Sequence, residues 1–261
     1  MIDLGAGDER FRDDHGEADP AVSAALAAYA ARTGGELAVL GSLAGSRLLV
    51  PVVAVLGDGP GAQRTDRAAH GAGLNQGEKA SEMAMPVIVA RDGRRALPAF
   101  TSAGTLRLWQ PAGRPVPAAA AAVWRSAVQE SCAVVIDIAG PVSIVVEGSR
   151  LAALAAGNQS PAMHDDPDVW QLAAATAAEF APGIRVRLSA PEDGLDLTLE
   201  LAPPQGAAHA VPAEAARQIG DAVTERLAER VRTGIAVLVR PPGDPAPTGP
   251  ASPPDAATRR N

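Results

Sequence analysis

Apolar residues recur along the chain in two periods, helical and alternating, and the changes of period mark its elements. From Asp168 to Phe180 (DVWQLAAATAAEF), Val169, Leu172, Ala173 and Thr176 share one helical face, with Asp168 near the start to meet the exposed amides. IRVRLS and LDLTLEL then alternate on either side of PEDG. With Pro191 to Gly194 as the turn, Leu188 faces Leu197, Val186 faces Leu199 and Ile184 faces Leu201, so both strands bury the same side. Arg185 falls opposite Glu200 on the other side, which reads as a solvated sheet face. Val211, Ala215, Ile219, Val223, Leu227 and Val231 predict a helix over Pro212 to Arg232, stopped at Gly234. IAVLV at 235 to 239 is apolar throughout and suits an inner strand. This block reads α-β-β-α-β, a small sheet covered by two helices.

The chain before it is less regular. Asp19 to Arg32 is a helix with Val22, Leu26 and Tyr29 on one face, followed by a second short helix through about Ala44. RLLVPVVAVL (47 to 56) is a strand whose internal proline suggests a bulge or an edge. Gly57 to Gly77 is glycine and polar residues with almost nothing to bury, so this loop is either disordered or functional. MAMPVIVARDGRRALPAF is a hairpin turning at Asp92-Gly93. Ala118 to Glu130 makes a helix around Trp124, CAVVIDI and PVSIVVE form a strand pair turning at Ala139-Gly140-Pro141, and SRLAALAA closes the block as a short helix. GNQSPAMHDD, from Gly157 to Asp166, separates the two blocks. The expected class is therefore α/β (α+β), with two small mixed sheets and covering helices. The expected domains are 19–157 and 166–240, between flexible tails at 1–18 and at the proline-rich 241–261.

Composition narrows the function classes. The 261 residues are 47% hydrophobic but only 3% aromatic, so the core is built from many small side chains. A net charge of -7 argues against a nucleic-acid binder that works by neutralising phosphates. The N-terminal stretch lacks the basic and apolar regions of a secretory signal, and no window approaches the roughly 18 apolar residues of a membrane span. The expected compartment is the cytoplasm. Cys132, the one cysteine, excludes an internal disulfide framework and reads as a buried structural thiol.

Motifs for chemistry are few. GAGLNQGEKAS differs from a phosphate-binding loop because Glu78 separates Gly77 from Lys79, and because the loop leads toward a strand. His164, Asp165 and Asp166 are adjacent and cannot all face one cation in regular structure, so they read as an interdomain turn and helix cap. His15, His70 and His209 have no evident serine or cysteine partner. No catalytic residue, cofactor or metal ligand is expected from these patterns.

Lys79 is the single lysine among 23 basic residues, and it stands in EKASEMAM. Arginine over lysine, with abundant alanine, reflects a GC-rich coding bias in the simplest account. The functional account is a recognition edge, with Glu78, Lys79, Ser81, Glu82, Phe100 and Thr101 forming one interaction surface. The same stretch, EKASEMAMPVIVARDGRRALPAFTSAGTLRLWQP, followed by RPVPAAAAAVWRSAVQESCAVVIDIAGPVSIVVEGSRLAAL, resembles the N-terminal domain of the SseB (enhanced serine sensitivity) family. The similarity runs from about Ala21 to Leu154. The second block is similar in position and layout to that family's C-terminal domain. The resemblance implies an α/β fold in a cytoplasmic bacterial protein and carries over no catalytic residue, cofactor or substrate.

Three readings follow. The first is a non-enzymatic binding or regulatory protein that presents the loop and hairpin to a protein partner. The second is an enzyme or sensor for an amino-acid-related metabolite, suggested by the family name and the polar stretch from 57 to 82. The third is a scaffold that forms a homodimer through the hairpin edge.

Overall fold

The structure, a computed structural model, describes residues 9–56, 81–84, 86–191 and 194–243. The chain begins with α1 (Pro20–Ala30), α2 (Glu36–Ala44), β1 (Arg47–Leu56), β2 (Ser81–Ala84), β3 (Ile88–Val89), β4 (Arg95–Ala99) and α3 (Ala103–Trp109). It continues through β5 (Arg114–Ala119), α4 (Ala120–Gln129), β6 (Ala133–Ile136), β7 (Ile144–Val146) and α5 (Gly148–Ala155). It ends with α6 (Pro167–Phe180), β8 (Arg185–Ser189), β9 (Leu197–Ala202), α7 (Ala213–Arg226) and β10 (Ile235–Val239). The α/β class holds, with three sheets where the sequence suggested two, because the strands of the first block divide between two sheets.

The chain packs as two compact units, each drawn from two stretches. Of the described residues, one takes those within 9–19 and 47–145, and the other those within 20–46 and 146–243. Division by sequence into 19–157 and 166–240 follows chain order, which this packing does not. In the first unit, the order β2-β1-β5 makes one sheet and β3-β4-β6-β7 the other. Residues 9–18, read from the sequence as part of a flexible tail, are held by this unit: Ala103 donates its N–H to the Gly16 carbonyl at 2.7 Å, and Arg47 binds the Asp14 carboxylate.

Pro51 is accommodated by its register. Leu49 N–H points to the Phe100 carbonyl (2.7 Å), away from β5, so odd positions of β1 contribute no amide to the β1–β5 ladder. Pro51 lies at such a position, opposite Pro115, and neither proline costs a hydrogen bond between these strands. The Asp92-Gly93 hairpin forms as expected, with Ile88 opposite Ala96 and Gly93 at φ +85°, where a residue lacking Cβ is unstrained.

In the second unit, α6 and α7 cover one face of the β10-β9-β8 sheet. Val169, Ala173, Ile219 and Val223 pack on Val186, Leu188, Leu197, Leu199 and Leu201, each leucine contributing about 1.5–3 kcal/mol by leaving water. Asp166 caps α6 by accepting the Asp168 N–H at 3.0 Å, as its turn-and-cap reading expects. The strand pairing departs from the simple hairpin register. Leu188 faces Leu199, Val186 faces Leu201 and Arg187 faces Glu200, a slip of two residues. A slip of two preserves which side each residue faces, so the buried face is the expected one.

Three expectations are corrected. The opposite face is not solvated at β9, where Thr198 and Glu200 are 4% and 5% exposed and Glu200 pairs with Arg240 at 2.8 Å. β10 is an outer strand, since β9 takes the centre of the sheet, and it leaves Leu238 and Val239 exposed. The last helix stops at Arg226, six residues short of Arg232, because the segment after Leu227 folds into turns that carry Arg230 and Arg232 elsewhere.

Candidate functional site

The sequence-predicted surface falls partly outside the described residues, which do not include Glu78 and Lys79. Ser81 and Glu82 lie on β2, opposite Leu56 and Val55 of β1. β2 is an outer strand with β1 as its only strand neighbour among the described residues. Phe100 also joins β1, exchanging both backbone hydrogen bonds with Leu49 at 2.7 and 2.8 Å. Both segments therefore converge on one strand.

Phe100 and Thr101 do not form exposed surface. Phe100 is 0% exposed, within a core of Leu49, Ala103 and Leu106, and its ring lies 5.6 Å from that of Trp109. Aromatic burial favours this, because packing the ring on Leu49 of β1 and on Ala103 and Leu106 of α3 removes a large apolar area from water. Thr101, 5% exposed, is turned inward onto Asp137.

Asp137 organises this end of the unit. It follows β6 as Thr101 follows β4, and the two strands are parallel, so both residues emerge at the same end of the pair. The Asp137 carboxylate, 2% exposed, accepts the Thr101 N–H at 2.9 Å, the Thr101 hydroxyl at 2.6 Å and the Thr105 hydroxyl at 2.6 Å. Its backbone takes the left-handed conformation (φ +49°), which aspartate tolerates better than most residues. Ser102 caps α3 by accepting the Thr105 N–H at 3.1 Å, so one cluster of side chains fixes both the strand end and the helix start.

Arg47 braces the same turn from the other side, donating to the Thr101 carbonyl and to Asp14. Burial pushes the Asp14 carboxyl upward, but the hydrogen bonds from Arg47 and from the Gly16 N–H outweigh it, and the group stays below the usual carboxylate range. Both Asp137 oxygens are engaged by the protein, so its chemistry is to hold Thr101 and Thr105 in place. Sequence reasoning missed Asp137, although a lone acid ending the apolar run of CAVVIDI was a readable sign of a buried, hydrogen-bonded carboxylate.

Cys132 is buried, as expected. Among the described residues no group of His, Cys, Asp and Glu could hold a metal ion, and no helix is long and apolar enough to cross a membrane.

Comparison with known families matches residues 22–153, slightly more than half of the chain, to the SseB protein N-terminal domain. The match takes in β1 to β7 and also most of α1, α2 and most of α5, which pack in the second unit. No curated protein and no solved structure matches the chain.

Proposed function

The chain belongs to the SseB family, and from that premise we propose that it is a non-enzymatic binding or regulatory protein of the bacterial cytoplasm. In this reading the first unit offers the Glu78–Glu82 segment and the outer side of β2 to a protein partner. The observation that supports it is the edge position of β2. The outward main-chain groups of an outer strand can accept a partner's strand, and side chains at alternate positions then confer specificity. Phe100 and Thr101 contribute by holding β1 and the β4 turn rather than by touching the partner.

Affinity capture from native lysate with wild type and a Lys79→Ala, Glu82→Ala variant of unchanged melting temperature tests it. A partner retained by wild type and lost by the variant supports the reading, and identical captures overturn it. The alternative, an enzyme or sensor for an amino-acid-related metabolite, is favoured by a cavity in the second unit whose charged walls are Glu36, Asp196, Arg230 and Arg232.

A further inference from the structure

The sheet of the second unit treats its two edges differently. At β8 the Trp170 indole donates its N–H to the Val186 carbonyl at 3.2 Å, and the strand carries Arg185 and Arg187, so this edge is both covered and charged. At β10, Arg240 donates its N–H to the Leu201 carbonyl at 2.8 Å, which turns the main-chain groups of the even positions toward β9. Ile235, Val237 and Val239 therefore direct theirs away from the sheet, where no described strand pairs with them. IAVLV holds no charge and no proline, the devices that ordinarily close an edge. Leu238 and Val239, on opposite faces of the sheet, are 45% and 41% exposed, so both sides of this edge leave apolar area in water.

The position of α7 decides what can cover the edge. A Cβ on Gly220 would lie 2.6 Å from Cγ2 of Val237, so α7 runs directly over β10. Pairing β10 with β10 of a second copy would set the two strands about 4.8 Å apart, in one continuous sheet with both helix layers on the same face. The two α7 helices would then lie at nearly that spacing. Packed helix axes need about 8–10 Å, so the helix layer itself keeps a second copy out. A single extended segment brings no helix and fits.

We propose that β10 binds an extended, uncharged segment of a partner protein, which adds to the three-stranded sheet through the outward N–H and C=O groups of Ile235, Val237 and Val239. Residues of the segment that pair with these positions point, as they do, to the helix-covered face, so apolar side chains at alternate positions extend the core beside Val239. The residues between them lie on the open face, beside Leu238. Arg240, just past the strand, is already paired with Glu200 at 2.8 Å, so this edge offers no free charge for an acidic segment. The site lies in the second unit and does not depend on β2, so identical captures in the test above leave it standing.

The test is fluorescence anisotropy of a labelled Thr-Val-Thr-Val-Thr-Val-Thr amide titrated with the full chain. Its valines suit the helix-covered face, and in that orientation their N–H groups meet β10 while those of the threonines point away. Saturable binding is expected, weakened at least about tenfold by N-methylation of the valines. N-methylation of the inner threonines should change it less than about threefold. Val239→Pro removes an outward N–H that serves no ladder bond, so the variant should keep its melting temperature and lose the peptide. The two methylated peptides decide the matter on wild-type protein if that variant does not fold. No saturable binding, equal weakening by both methylations, or full binding by a folded Val239→Pro overturns the proposal. So does a wild-type dimer, by solution mass, that a folded Val239→Pro abolishes, since the edge would then belong to a second copy.

Discussion

The Asp166 carboxylate, which has no exposed surface, meets the Arg230 guanidinium at 2.8 Å. The same guanidinium reaches Glu36, whose other oxygen binds Arg150, so the ion pairs join α2, α5, the cap of α6 and the turn after α7. Removing one member of such a set leaves a buried charge without compensation. Arg230→Met is therefore expected to cost about 3–5 kcal/mol of unfolding free energy, read from the urea midpoint. A loss below about 1 kcal/mol would mean that the network is relaxed by water.

Asp137→Asn keeps the shape and the tolerance for positive φ but replaces one acceptor oxygen with a donor. Thr101 and Thr105 hydroxyls can turn, whereas the Thr101 N–H cannot. The variant should lose about 1–3 kcal/mol by urea denaturation, and Asp137→Ala should lose more because it adds backbone strain.

Asp196 sets a pH dependence. Burial pushes its carboxyl up, but the three backbone N–H groups of residues 232–234 hold it below its ordinary value. A carboxyl depressed in the folded state stabilises at pH above its unfolded value and loses that contribution as pH falls through the folded one. Asp196→Asn should therefore be about 1–2 kcal/mol less stable at neutral pH. The difference should shrink below about pH 4, measured by urea titrations at stepped pH. A gap that stays constant into that range would contradict the assignment.

Gly220 sits where α7 touches β10, and a Cβ there would lie 2.6 Å from Cγ2 of Val237. Alanine improves helix propensity by about 1 kcal/mol, against an overpacking cost of about 1–3 kcal/mol. Gly220→Ala should come out net destabilising by melting temperature, and Val237→Ala should cost less in that background than in wild type.

Much of the second unit was legible because alternation survives an error of register: a slip of two left Leu188, Val186 and their partners on the expected face. α3 was missed because its signal is a Ser102 cap with threonine, not glutamate, three residues on, in a segment of only seven helical residues. β5 was missed because Pro115 and Pro117 argue against a strand, and only their register opposite β1 removes that objection. The Glu36 network was invisible for a different reason. Its contacts join residues 114 and 194 positions apart, and no local pattern announces a pairing of that range. Phe100 and Thr101 looked like surface because they follow a hairpin, whereas Asp137 and the Trp109 ring turn them inward.

The most direct test of the binding reading is the affinity of a purified captured partner for wild type and for the Lys79→Ala, Glu82→Ala variant, measured by titration calorimetry at matched fold stability. The account predicts at least about tenfold weaker binding by the variant, a loss of about 1.4 kcal/mol. Equal affinities would contradict it and remove the β2 edge as the recognition element.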